Sequence, residues 1–128
     1  MPNNLSSEPA SRGRVCILDD DPAVAGIWAD FLGEEGFTCT ILYPSATTLS
    51  ELRGGLYPMD LMITDYSMPH VSGADVSRAL KSLYPAPAVI IVSGYDSTQL
   101  ADRGVADLVL QKPVTLAQML LEVSRLIP

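Results

Sequence analysis

The sequence predicts an α/β domain of the doubly wound class, with five parallel strands alternating with five helices. Three observations carry that prediction. Short apolar runs recur between segments of helical periodicity, which suits strands covered on both faces. The chain has 128 residues, a length that fits one compact domain and leaves little room for a second. Polar residues gather just after the apolar runs, at the strand ends where this class of sheet places its ligands.

The elements follow in order from Arg14, with no internal repeat. Val15 to Leu18 is apolar at every position and reads as a buried strand. Asp21 then caps a helix whose first residue is Pro22, a favoured start. Its apolar stripe is Val24, Ile27, Trp28, Phe31 and Leu32, and Gly36 closes it. A second strand is predicted over Phe37 to Tyr43, then a weaker helix from about Ser45 to Leu56. Met59 to Thr64 forms the third strand and delivers Asp65 at its end. Ser72 and Asp75 make a capping pair for a helix carrying Val76, Ala79, Leu80 and Leu83, which Pro85 and Pro87 terminate. Ala88 to Val92 is the fourth strand. A short helix is predicted near Ser97 to Arg103, stopped by Gly104, and Asp107 to Gln111 is the fifth strand. Thr115 and Gln118 fit a capping box for a last helix with Leu116, Met119, Leu120, Val123, Leu126 and Ile127 on one side.

Composition narrows the function classes. Apolar residues make up 48% of the chain, so a disordered polypeptide is excluded. The longest apolar run, Ala88 to Val92, is far below the roughly 18 residues of a membrane span, so no membrane partner is expected. Residues 1–13 are polar, carry no secretory signal and read as a loose tail, with the domain proper spanning residues 14–128. A cytoplasmic location is expected. Fifteen acids against eight bases give a net charge of −7, which argues against nucleic-acid binding by this domain. Cys16 and Cys39 fall in predicted strands and read as buried reduced thiols rather than a disulfide or metal pair.

The strand ends hold the chemistry. Strand 1 ends in Asp19-Asp20-Asp21, strand 3 in Asp65, strand 4 in Ser93-Gly94 and strand 5 in Lys112-Pro113. Packed carboxylates repel one another unless something positive joins them, and Mg2+ suits a site of few carboxylates, waters and phosphate. A solvated loop with a helix cap is the plainer reading of the three aspartates, and for Asp21 it is preferred. A carboxylate such as Asp65 can attack phosphorus and form an acyl phosphate. The developing charge then needs a metal, a cation and a hydroxyl donor, which Mg2+, Lys112 and Ser93 would supply.

Taken together, Leu18-Asp19-Asp20-Asp21-Pro22, then Asp65-Tyr66-Ser67-Met68-Pro69 with Gly73, then Ser93-Gly94 and Lys112-Pro113, resemble the receiver domain of response regulators. The resemblance covers roughly residues 14 to 127. It implies a flavodoxin-like (βα)5 fold with strand order 2-1-3-4-5, the order the chemotaxis regulator exemplifies. It also implies that Asp65 accepts a phosphoryl group from a histidine kinase or histidine phosphotransfer domain, and that an effector or output domain reads the result. Asp20 and Asp65 would bind Mg2+ directly, Asp19 through water, and Ser67 through its backbone carbonyl. Ser93 would be the switch hydroxyl and Lys112 its pairing cation, with small Gly94 leaving the donor a path, so that Ser93, Gly94 and Lys112 hold the phosphate. The Lys112–Pro113 bond would be cis. In this reading the chain is a signalling receiver that catalyses only its own phosphorylation and dephosphorylation.

Two departures bear on output. Val109 stands where the family often has an aromatic switch residue, and the stretch from Ser93 to Lys112 is shorter by about one helical turn. Movement is therefore expected in the Gly94 to Ser97 loop rather than at residue 109. His70, the sole histidine, is read as an exposed loop residue. Three other readings fit less well. A haloacid-dehalogenase-like phosphatase would explain the Asp-x-Asp spacing but lacks a later acidic pair. A flavin module would need a Ser/Thr/Gly-rich loop where three acids stand, and a docking-only pseudo-receiver would have lost an acceptor, acid or lysine.

Overall fold

In the computed structural model, which describes residues 10–94 and 105–128, the apolar runs form five strands. They are β1 (Arg14–Leu18), β2 (Thr38–Leu42), β3 (Leu61–Asp65), β4 (Ala88–Ser93) and β5 (Leu108–Gln111). Four helices are present among the described residues: α1 (Pro22–Glu34), α2 (Thr48–Arg53), α3 (Gly73–Lys81) and α4 (Leu116–Leu126). The predicted helix near Ser97 to Arg103, its stop at Gly104 and most of the Gly94 to Ser97 loop lie outside the described residues. All neighbouring strands pair in parallel, in the order β2-β1-β3-β4-β5. This is the doubly wound order that the resemblance implies, and its reversal of direction falls between β1 and β3.

Strand alternation divides the core in two. Val15, Ile17, Ile63, Ile90 and Val92 face Trp28 and Leu32 of α1 and Met119 and Val123 of α4. Their neighbours Cys16, Leu18, Met62, Val89 and Ile91 face the other way, onto Leu52 of α2 and Val76 and Leu80 of α3. Successive side chains of a strand point to opposite faces, so a strand that is apolar throughout demands cover on both. Cys16 and Cys39 are both free thiols, the first buried and the second half-buried. They belong to opposite cores.

Helix starts follow the sequence closely. Asp21 Oδ1 accepts from the N–H groups of Ala23 (3.0 Å) and Val24 (3.4 Å), and Pro22 opens α1. Ser72 accepts from the N–H of Asp75 (3.1 Å) and Thr115 from that of Gln118 (3.0 Å). Such caps satisfy N–H groups that a helix leaves without intrahelical partners.

Packing corrects three expectations. Ile27 is 57% exposed, because the buried line of α1 runs through Ala25, Trp28 and Leu32. Two residues on from Ala25, Ile27 stands roughly 200° around the helix and cannot share that line. The second predicted helix shrinks to Thr48–Arg53. Ser45 N–H donates to Thr48 Oγ1 at 2.8 Å, a side-chain turn that competes with helix over the preceding residues. Strand β2 stops at Leu42, which leaves Tyr43 exposed.

Residues ahead of β1 also pack on the domain. The Arg12 guanidinium lies 4.5 Å over the Phe37 ring and donates to Glu35 O and to Ser124 Oγ, both at 3.0 Å. Ser11 Oγ accepts from Thr38 Oγ1 at 2.8 Å.

Candidate functional site

Beyond the carboxyl ends of β1, β3 and β5 the chain turns polar within one residue. Leu18 is fully buried and its successor Asp19 is only 7% exposed, while Asp20 reaches solvent. Asp19 Oδ1 accepts from the Asp21 N–H at 2.9 Å, which turns the backbone into α1. Asp65 closes β3 with its side chain 11% exposed. Single carboxylate oxygens of Asp19, Asp20 and Asp65 lie within 4.8 Å of one another. Asp21, by contrast, serves the helix start, as read from the sequence.

The cation is Lys112. Its Nζ stands 3.1 Å from Asp65 Oδ1, and its own N–H donates to Ser93 O at 2.7 Å, so β4 and β5 fix its origin. The Lys112–Pro113 peptide is cis, as the resemblance implies. Ser93 is fully buried at the end of β4, and Gly94 beside it is exposed, with no atom of the described residues, chain neighbours aside, within 4 Å of where a side chain would stand. Ser67 is exposed in the loop after Asp65. His70, also exposed, takes a φ of 71°, a left-handed conformation more often accepted by histidine than by bulkier residues. Val109 is half-buried in the α2/α3-side core, paired in register with Ile91.

Electrostatics set Asp19 apart. Burial pushes the Asp19 carboxyl above its ordinary value, and the charges of Asp65 and Asp20 push the same way. The Asp21 N–H and Lys112 oppose this without cancelling it. Three oxygen donors with one lysine beside them form a set that a hard divalent cation fits, since it offsets the repulsion that adds to burial in raising Asp19.

A cavity of about 280 Å³ opens beside the acids. Its floor and walls include Ile17, Ile63, Val92, Val24 and Trp28, and Asp19, Asp65 and Lys112 form its polar rim. The low-dielectric wall strengthens every charge interaction at that rim.

Sequence reasoning named the charged groups, carried Gly73 only as a member of the motif, and missed Thr64. Thr64 Oγ1 donates to the backbone carbonyl of Asp65 at 2.9 Å, and Thr64 is fully buried. Gly73 packs directly on the Asp65–Tyr66 peptide. The available signals were a hydroxyl inside an apolar strand and a glycine opening a helix, where it is a poor former.

Comparison with known proteins identifies the family and the fold. A family model described as the response regulator receiver domain matches residues 15–124. The DNA-binding response regulator MtrA of Mycolicibacterium smegmatis is 29% identical over 103 residues, covering 78% of this chain and 44% of that protein. The chain thus spans less than half the length of this curated relative. A signal receiver domain from Bermanella marisrubri superposes with a TM-score of 0.76 at 27% identity, covering 92% of this chain and 99% of the other. The response regulator TrrA from Thermotoga maritima, solved in complex with Mg2+ and BeF, gives a TM-score of 0.76 at 22% identity, covering 88% of this chain and 97% of that one.

Proposed function

Because the chain belongs to the response regulator receiver domain family, we propose that Asp65 is its phosphoryl acceptor and that Asp19, Asp20 and the Ser67 carbonyl complete a Mg2+ site beside it. The observation that carries this reading is one carboxylate in two relationships. Asp65 is ion-paired to Lys112 at 3.1 Å, and it shares an oxygen cluster with Asp19 and Asp20. A structural aspartate needs the first relationship only.

The transfer balances simply. A carboxylate oxygen of Asp65 forms a bond to phosphorus as the bond from phosphorus to the donor nitrogen breaks. The departing electron pair stays on the donor imidazole, which takes up a proton. Lys112 and the Ser93 hydroxyl meet the charge that develops on the phosphoryl oxygens, in a site walled by apolar side chains. Bound Mg2+ supplies further positive charge among the acids. Gly94, beside Ser93, adds no side chain to crowd the approach. The domain accordingly acts once per phosphoryl group, on itself, with a histidine kinase or histidine phosphotransfer domain as donor and an effector or output domain as reader. The Thermotoga relative's complex with Mg2+ and BeF supports the same pairing of metal and phosphoryl group here.

Mass spectrometry after incubation with acetyl phosphate and Mg2+ tests the assignment. One phosphoryl group is expected on the native chain, with none on Asp65→Asn and none in excess chelator. Labelling that persists in Asp65→Asn refutes it.

A further inference from the structure

The backbone across Asp65 and Tyr66, which spans two successive peptides, is held by four hydrogen bonds. Thr64 Oγ1 donates to Asp65 O (2.9 Å) and Gly73 N–H donates to Tyr66 O (2.8 Å). The Tyr66 N–H is shared between Val92 O of β4 (2.9 Å) and Asp65 Oδ1 (3.0 Å). That same Oδ1 is the atom paired with Lys112 at 3.1 Å. The direction of the carboxylate is therefore coupled to the plane of its own following peptide.

Gly73 decides where that plane lies. It opens α3, immediately after the Ser72 cap, although glycine is among the poorest helix formers. A Cβ at residue 73 would stand 2.7 Å from Asp65 O and 3.0 Å from Tyr66 Cα. Both are backbone atoms, so no side-chain rotation relieves the contact. The helix must retreat or the peptide must tilt, and a tilt shifts the Tyr66 N–H and the oxygen it holds relative to Lys112.

We propose that Gly73, with Thr64 hydrogen-bonded to the same Asp65 carbonyl, is a positioning residue for phosphoryl transfer: its bare Cα lets α3 close against the Asp65–Tyr66 peptide and aims the carboxylate. The proposal rests on Asp65 being the acceptor. Glycine at 73 is thus required by backbone proximity at the reacting group rather than by φ, and its effect reaches the chemistry through the Tyr66 N–H.

Gly73→Ala, Thr64→Val and Gly26→Ala test it, the last as a control in α1 with nothing within 4 Å of the added methyl. The readouts are the labelling rate constant at saturating acetyl phosphate and Mg2+, the half-saturating acetyl phosphate concentration, and the Mg2+ Kd by calorimetry, all well below the melting temperature of each variant. Gly73→Ala is expected to lower the rate constant about tenfold or more, since misplacement of a reacting group by part of an ångström is costly. Mg2+ affinity should fall with it, while half-saturation changes little. Thr64→Val should show a smaller loss of the same kind and Gly26→Ala none. A merely structural role would lower the melting temperature and leave the rate constant of the folded protein alone. Should Gly73→Ala fail to fold, Thr64→Val decides. Native rate constants in the folded variants overturn the clamp, whereas labelling of Asp65→Asn would instead overturn the acceptor assignment itself.

Discussion

The two ends of this sheet treat aspartate in opposite ways. At the amino ends of the strands Asp60 and Asp107 each have a base of their own. Asp60, just before β3, accepts from the Arg14 N–H (2.8 Å) and lies 3.2 Å from its Nη2. The Arg14 side chain and N–H hold the Asp60 carboxyl below its usual value. Asp107, just before β5, accepts from Lys81 Nζ (2.5 Å) and the Val89 N–H (2.8 Å). Burial alone would raise its carboxyl, but those hydrogen bonds and the lysine charge outweigh burial, and the net shift is downward. At the carboxyl ends Asp19, Asp20 and Asp65 gather around Lys112, and Asp19 is pushed up. Local pairing stabilises a fold. Charge left without full compensation marks where a ligand does the compensating.

The contrast is sharpest at the two lysines. Lys112→Gln is expected to slow labelling of Asp65 by about 10²-fold, the usual loss when one donor to developing charge is removed. Rates measured at matched folded fraction check this. Replacing Lys81 in the same way should leave the rate per folded molecule unchanged, and an equal loss there would erase the distinction between the ends.

Stability should respond in the reverse order. Asp107→Ala removes the lysine's partner and takes an acceptor from the buried Val89 N–H, costing about 1–2 kcal/mol in denaturant unfolding. The pH dependence follows from its lowered carboxyl. An acid depressed in the folded state contributes stability above its unfolded pKa of about 3.9 and loses it as pH falls toward the folded value. The native chain should therefore shed more stability between about pH 4 and pH 2 than Asp107→Ala does. Parallel acid profiles for the two proteins would contradict the pairing.

The smallest effect has the opposite sign. Asp19→Asn removes one of three repelling charges, so the metal-free protein should become more stable, by on the order of 1 kcal/mol or 4 °C in Tm. Mg2+ should then protect the variant less than the native chain. Thermal melts with and without Mg2+ read both quantities, and a destabilised metal-free variant would break the comparison.

How much of this was legible beforehand depends on the kind of contact. Asp19, Asp65, Ser93 and Lys112 stood out because strands apolar on every position make a polar end residue conspicuous, and the parallel order brings distant ends together. Caps at Asp21, Ser72 and Thr115 were legible because capping is local. Ile27 was misread because two helical stripes fit the same residues, and the bulk of Trp28 selects between them. The shortened α2 was hidden by a hydroxyl turn that periodicity does not register. Gly73 appeared only as part of a pattern, since its clash involves backbone atoms eight and seven positions away.

The central claim is that the acceptor is Asp65 and that the linkage is an acyl phosphate. Borohydride reduction converts an aspartyl phosphate to homoserine, which peptide mass mapping then locates. After treatment with acetyl phosphate and Mg2+, the account predicts homoserine at residue 65, and none when Mg2+ is chelated. Homoserine at Asp19 or Asp20, or a phosphoryl group that survives reduction on a serine or threonine, would contradict it.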